Sequence, residues 1–213
     1  MNPLTPVNFN SYGYVTKKLE QKNFDKLKEE IAIIRSDFDS ATPHNQRLAG
    51  NIGKEFIFTK DMSFLSEELY PLIQSYEENF NYLKQLRYLT KDVPVVLKDT
   101  WVNFQAKHEF NPIHDHAGVF SFVIWVDVPY LSADEKAQSF GRYSNSNLAG
   151  SFCFYYTSSM GQIIPWEIPA DRTFNGIIAL FPATLPHAVY PFSSTDDYRV
   201  SVSGNLVFDV GSV

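Results

Sequence analysis

The chain has 213 residues, a mass of 24.4 kDa, a formal charge of −6 and a pI near 5.3. That length supports one good core, with or without a sizeable appendage, and no second independent domain is expected. The acidic balance excludes a protein that holds nucleic acid mainly by neutralising phosphates, and aromatics at 15%, with 18 Phe and 12 Tyr, favour a strand-rich sandwich or barrel over a helical bundle.

The first ninety or so residues carry the helical signals. In NFDKLKEEIAIIRSDF (23 to 38), Phe24, Leu27, Ile31 and Ile34 recur at spacings near three and four, which predicts an amphipathic helix capped by Asn23. The period repeats in SFLSEELYPLIQSYEENFNYLKQL (63 to 86), where Pro71 is expected to kink the helix or mark a first-turn restart. Between them, SATPHNQRLAGNIGKEFIFT reads as a turn-rich connector ending in a short strand.

From about residue 95 the period changes to that of strands. VVLKDTWVNFQAKH, HDHAGVFSFVIWVDV, SFCFYYTS, QIIPWEIP, GIIALFPA, HAVYPF and YRVSVSGNLVF are short β-branched and aromatic segments separated by Gly, Pro, Asn, Asp and Ser. Such a series suits a double-sheet jelly roll, mainly β with N-terminal helices. The expected division is a helical support region over 1–95, packed on the barrel or forming a subunit contact, and a catalytic core over 96–213. Residues 130 to 150 form a long polar loop, a candidate lid over a substrate. The single Cys153 allows no internal disulfide, the N-terminus lacks the apolar stretch of a secretory signal, and no run approaches the ~18 apolar residues of a membrane span. A soluble protein of the reducing cytoplasm is therefore expected.

NPIHDHAGVFSF places two of the five histidines one residue apart. In an extended segment His114 and His116 share a face and Asp115 points the other way. A non-haem iron site takes three ligands on one face of the ion, and His187, at the start of a strand some seventy residues on, is the third candidate. His44 and His108 sit in turn-like contexts and are set aside as ligands. Twelve residues after His187, Arg199 opens YRVSVSGN, where alternation aims Arg199, Ser201 and Ser203 at one face to receive a ligand carboxylate. The residues leave a plainer reading open: turn histidines at 114 and 116, a core histidine at 187, and an exposed arginine paired with Asp196 or Asp197.

Together WVNFQAKHEFNPIHDHAGVFSFVIWVDVPY, LFPATLPHAVYPF and YRVSVSGN resemble the ligand-bearing and Arg-x-Ser segments of the 2-oxoglutarate- and iron(II)-dependent oxygenases, which are built on a double-stranded β-helix. The wording is also similar to members of that family carried by phages of marine cyanobacteria. The resemblance implies Fe(II), 2-oxoglutarate and O2 as cofactor and cosubstrates. It implies His114, His116 and His187 as metal ligands, with Arg199 and Ser201 on the far carboxylate of 2-oxoglutarate. Asn103 and Gln105 lie on the strand where the family places polar contacts to the cosubstrate. Most of the family has Asp or Glu where this chain has His116, so the site would lose one negative charge. Trp125, Tyr155, Tyr156 and Trp166 would line an apolar wall, or serve as ordinary core aromatics. The reaction implied is decarboxylation of 2-oxoglutarate to succinate coupled to hydroxylation, or oxidative demethylation, of a small molecule or peptide rather than a nucleic acid. Two rivals stay open at this point: a three-histidine dioxygenase that uses no 2-oxoglutarate, and a non-catalytic jelly-roll binding protein.

Overall fold

The computed structural model describes residues 12–45, 49–86, 93–138 and 141–212. Helix α1 spans Gln21–Ser36 and buries Leu27 and Ile31. The expected cap does not form. The helix begins two residues before Asn23, whose side chain is buried and donates to Glu68 Oε1 at 2.7 Å, so a contact between helices has claimed it. Helix α2, Ser66–Phe80, runs through Pro71 without interruption. Its break comes instead at Asn81, whose left-handed φ of 51° closes the helix by donating its N–H to Glu77 O and leads into α3, Tyr82–Leu86.

Among the described residues, ten strands form two antiparallel sheets. The large sheet has the order β1-β8-β5-β10-β3-β2, built from β1 Val15–Lys18, β2 Glu55–Ile57, β3 Val95–Gln105, β5 Phe120–Asp127, β8 Ile177–Pro182 and β10 Arg199–Phe208. The small sheet has the order β4-β9-β6-β7, from β4 Asn111–His114, β6 Phe152–Thr157, β7 Ile163–Ile168 and β9 His187–Val189. The N-terminal region thus supplies both edge strands of the large sheet as well as helices α1, α2 and α3. Strand β7 contains Pro165, which cannot donate to a ladder and sits, as that requires, on a sheet edge.

The unbroken apolar run of β5 follows from its position, because both faces of the large sheet are covered. Phe120, Phe122 and Ile124 join Leu27, Leu69, Leu72 and Tyr76 in a core between sheet and helices. Val123 and Trp125 face inward with Phe152, Phe154 and Phe181 in a second core between the sheets. Each fully buried aromatic contributes roughly 2–3 kcal/mol of hydrophobic stabilisation. HDHAGVFSFVIWVDV divides into β4, a turn and β5 rather than one strand. His114 ends β4, and His116 lies in the turn, fixed by its backbone N–H to Ala183 O at 2.9 Å.

Candidate metal centre

Strands β4 and β9 pair with His114 directly opposite His187. The turn returns His116 to the same point, leaving ring centroids 4.3 Å apart for His114 and His187, 5.0 Å for His114 and His116, and 5.1 Å for His116 and His187. All three donor atoms fall within 4.8 Å of one another, and His187 is buried. His114 Nδ1 bonds Pro112 O at 2.7 Å and His187 Nδ1 bonds Leu185 O at 2.9 Å. A carbonyl accepts only, so each Nδ1 carries the hydrogen and each Nε2 keeps its lone pair. Burial, and then the neighbouring His114, push His116 down to about 4 and hold His187 well below the ordinary imidazole range. Neutral imidazoles with free lone pairs fit a divalent first-row ion. Asp115 is exposed and stands outside the cluster. His44 rests against Trp101, and His108 adopts a left-handed turn with φ 69°.

At the far end of the same cavity Arg199 is 4% exposed. Among the described residues none of its partners is a carboxylate, while Asp196 pairs with Lys107 instead. Its Nε and Nη2 both donate to Gln105 Oε1, at 3.0 and 2.5 Å, and Nη2 also donates to Tyr190 O at 3.0 Å. Nη1 donates to Tyr130 Oη at 2.6 Å and to Gly150 O at 2.5 Å. All five N–H groups are therefore engaged by neutral acceptors. Burial raises the Tyr130 phenol, which keeps its hydrogen and donates it to Gly150 O at 2.7 Å.

The loop of 130 to 150 is thus tied to the arginine at both ends. It carries helix α4, Ser132–Gln138, whose buried Glu135 accepts from Ser193 N, Ser193 Oγ and Ser194 N. Tyr130, Gly150 and Glu135 thus anchor the described parts of the loop beside Arg199 and the Ser193–Ser194 backbone.

Between the two ends, Asn103, Ser201 and Ser203 line the wall, with Asn103 Nδ2 reaching Ser201 Oγ at 3.3 Å and Ser203 Oγ at 3.5 Å. Trp101, Trp125, Phe152 and Phe181 form the apolar side, and Ala49 and Ile52 close it from the connector. Gly50 makes that approach feasible, because a Cβ there would stand 1.8 Å from Asn111 Oδ1. Trp125 lines the cavity as expected, whereas Tyr155, Tyr156 and Trp166 do not. Trp166 is half exposed and donates to Tyr14 Oη. The free space is about 40 Å³, enough for a few waters. Trp101 and Tyr130 escaped sequence reasoning. Both are aromatic in an aromatic-rich chain, and nothing in their local sequence separates them from core residues.

A jelly roll that turns three histidines and a buried arginine into one cavity defines the class of the non-haem iron oxygenases. Residues 99–205 match the model of the family described as "Putative 2OG-Fe(II) oxygenase". The chain belongs to this family: it is a 2-oxoglutarate- and Fe(II)-dependent oxygenase, an enzyme that uses Fe(II), 2-oxoglutarate and O2. Solved structures share its fold. A Pseudomonas putida prolyl-4-hydroxylase is 13% identical with a TM-score of 0.52, over 91% of this chain and 92% of that one. The α-ketoglutarate-dependent epimerase SnoN of nogalamycin biosynthesis is 13% identical with a TM-score of 0.55, over 92% and 76%. AviO1 of Streptomyces viridochromogenes Tue57 is 14% identical with a TM-score of 0.52, over 93% and 91%. No curated protein matches by sequence. Among the described residues no helix is long and apolar enough to cross a membrane.

Proposed function

We propose that His114, His116 and His187 hold the Fe(II) and that Arg199, with Ser201, receives the far carboxylate of 2-oxoglutarate. The observation that carries this reading is a buried guanidinium, without an acidic partner among the described residues, in the same cavity as the three imidazoles. A buried cation in that state gains from an incoming anion. Gln105 Oε1 occupies the Nε–Nη2 side of the guanidinium, the side on which a carboxylate binds through two parallel hydrogen bonds. An arriving carboxylate displaces that amide, and the cavity widens as Gln105 turns.

Bound iron would supply the redox chemistry by which O2 gives one oxygen atom to 2-oxoglutarate, released as succinate and CO2, and the other to a substrate C–H, which becomes C–OH. The chain's own part is placement. Arg199 sets the depth of the cosubstrate, Asn103 and Ser201 line its path, and Trp101, Trp125, Phe152 and Phe181 exclude water from the reacting end. The proposed division of labour is a support region over 1–95 and a catalytic core over 96–213, supported by His114, His116, His187, Arg199 and Ser201 all lying after residue 95. The substrate we favour is a small molecule or peptide. In support, the chain's net charge is −6, and the grooves beside the ligand-bearing segments are lined by uncharged residues such as Tyr12, Ile113, Tyr156 and Leu185. Cys153, buried and free, agrees with a reducing compartment.

The test is anaerobic titration of the Fe(II)-loaded protein with 2-oxoglutarate, followed by the visible metal-to-ligand charge-transfer band. The wild type develops the band at low cosubstrate concentration, and Arg199→Ala needs far more. Iron bound without a band in the wild type would overturn the proposed site.

A further inference from the structure

One line of cross-strand partners crosses the inner face of the large sheet. Pro43 bridges Phe56 and His44 N donates to Glu55 O, which sets His44 beside Glu55. Glu55 pairs with Asn103, and Asn103 pairs with Ser201 of the Arg-x-Ser strand. Directly paired residues share a face, with Cβ atoms roughly 5 Å apart. A carboxylate thus stands beside the amide that lines the proposed cosubstrate path.

Both groups hold an unanswered oxygen. Glu55 is fully buried, and among the described residues its Oε1 has no hydrogen-bond partner and its Oε2 reaches only Asn45 Nδ2, at 3.5 Å. Asn103 is 5% exposed, and its Oδ1 has no partner either. The two contacts of Asn103 Nδ2 to the serines are too long to fix the amide by themselves.

Among the described residues, neither Glu109 nor Lys54 compensates Glu55. Glu109 repels Glu55, its own carboxylate held by Gly53 N and Ala106 N. Lys54, next in the chain, gives its ammonium to Tyr198 Oη and the Phe38 ring. His44 lays its ring against Trp101. With Asn103 Nδ2 turned to Ser201 and Ser203, the two adjacent buried oxygens need one hydrogen between them, and in that orientation the carboxyl is the group that can carry it.

We propose that Glu55 is a protonated positioning residue, whose carboxyl O–H donates to Asn103 Oδ1 and so holds Asn103 Nδ2 toward Ser201 and Ser203. Burial first, and then Glu109, push Glu55 up to about 7. The hydrogen bond is therefore complete in mild acid and is lost as pH rises through neutrality. The carboxylate then faces an amide oxygen, and the wall loses the arrangement that admits 2-oxoglutarate. The effect on cosubstrate affinity rests on the site proposed above; the protonation of Glu55 and its bond to Asn103 do not.

The experiment has two arms on the full-length protein. Nuclear magnetic resonance of protein labelled at the glutamate carboxyl carbons and at side-chain amides follows Glu55, assigned by loss of its signal in Glu55→Gln, and Asn103, assigned with Asn103→Ser. Anaerobic 2-oxoglutarate titrations of the Fe(II)-loaded wild type, Glu55→Gln and Glu55→Ala are run between about pH 6 and 8.5. The expected result is a Glu55 carboxyl and an Asn103 amide that move with one midpoint near neutrality. Alongside it, wild-type affinity falls about tenfold across the range, a change of ~1.4 kcal/mol. The Gln variant, whose amide N–H replaces the carboxyl proton, keeps the mildly acidic affinity at every pH, and the Ala variant is weak throughout. A Glu55 signal that titrates in the ordinary carboxylate range, an Asn103 amide indifferent to it, or a Gln variant with the wild-type pH slope would each overturn the proposal. If the wild type binds no 2-oxoglutarate at any pH, the cosubstrate site fails while the resonance arm still decides the role of Glu55.

Discussion

The two ends of the cavity are opposites. At one end three imidazoles meet, two of them with Nδ1 held by a backbone carbonyl two residues upstream and Nε2 left as a lone pair. They form an acceptor set. At the other end a permanent cation has every N–H on a neutral acceptor and, among the described residues, no anion. In the proposed reading the three histidines are already gathered for a metal, whereas Gln105 holds the side of Arg199 that the cosubstrate carboxylate would take. Metal binding should then need little rearrangement, and cosubstrate binding should be coupled to the movement of Gln105.

The largest test of this contrast is His187→Ala, which removes the buried imidazole opposite His114. Losing one imidazole, about 3 kcal/mol of a metal site's binding free energy, should lower Fe(II) affinity at least ~100-fold in chelator competition. Iron affinity near the wild-type value would show that the three histidines do not act together. Next comes Arg199→Ala. Loss of charged hydrogen bonds worth ~1.5–3 kcal/mol should weaken 2-oxoglutarate by about 10- to 100-fold in the anaerobic titration while leaving Fe(II) affinity unchanged. An equal loss of both would mean that the ends are not independent.

A smaller effect is expected from Tyr130→Phe. It removes one acceptor of Arg199 and one bond to Gly150, at about 1 kcal/mol, and should weaken 2-oxoglutarate by roughly fivefold with no change in iron binding. Smallest of all is Asp115→Ala, which should stay within about twofold on both ligands because an exposed carboxylate contributes little. A marked loss of Fe(II) in that variant would show Asp115 turning in to join the ligands and would replace the three-histidine set.

The local sequence determined the parts that rest on neighbouring residues. The apolar period of α1, the alternation of β10 and the aromatic run of β5 are short-range patterns, each tied to one element's geometry. His114, His116, His187, Arg199, Asn103, Gln105 and Ser201 were all legible as chemistry-bearing residue types in such patterns, and the fold brings them to one cavity. His116 arrives by a different route from the one alternation suggests. Strand β4 ends at His114, and a turn held by Ala183 O returns the ring to the cluster.

Only the tertiary structure decided who answers each polar group. The acceptors around Arg199 come from Gln105, Tyr130, Gly150 and Tyr190, on separate stretches of chain. Asn23 left its expected cap for Glu68, forty-five residues away. Glu55 became a neighbour of Asn103 because the connector's short strand joined the edge of the large sheet in one particular register. The physical reason is common to all three. A side chain's type and local period fix which way it points, but its hydrogen-bond partner and its desolvation depend on strands paired across long sequence separations, which no local window of the sequence contains.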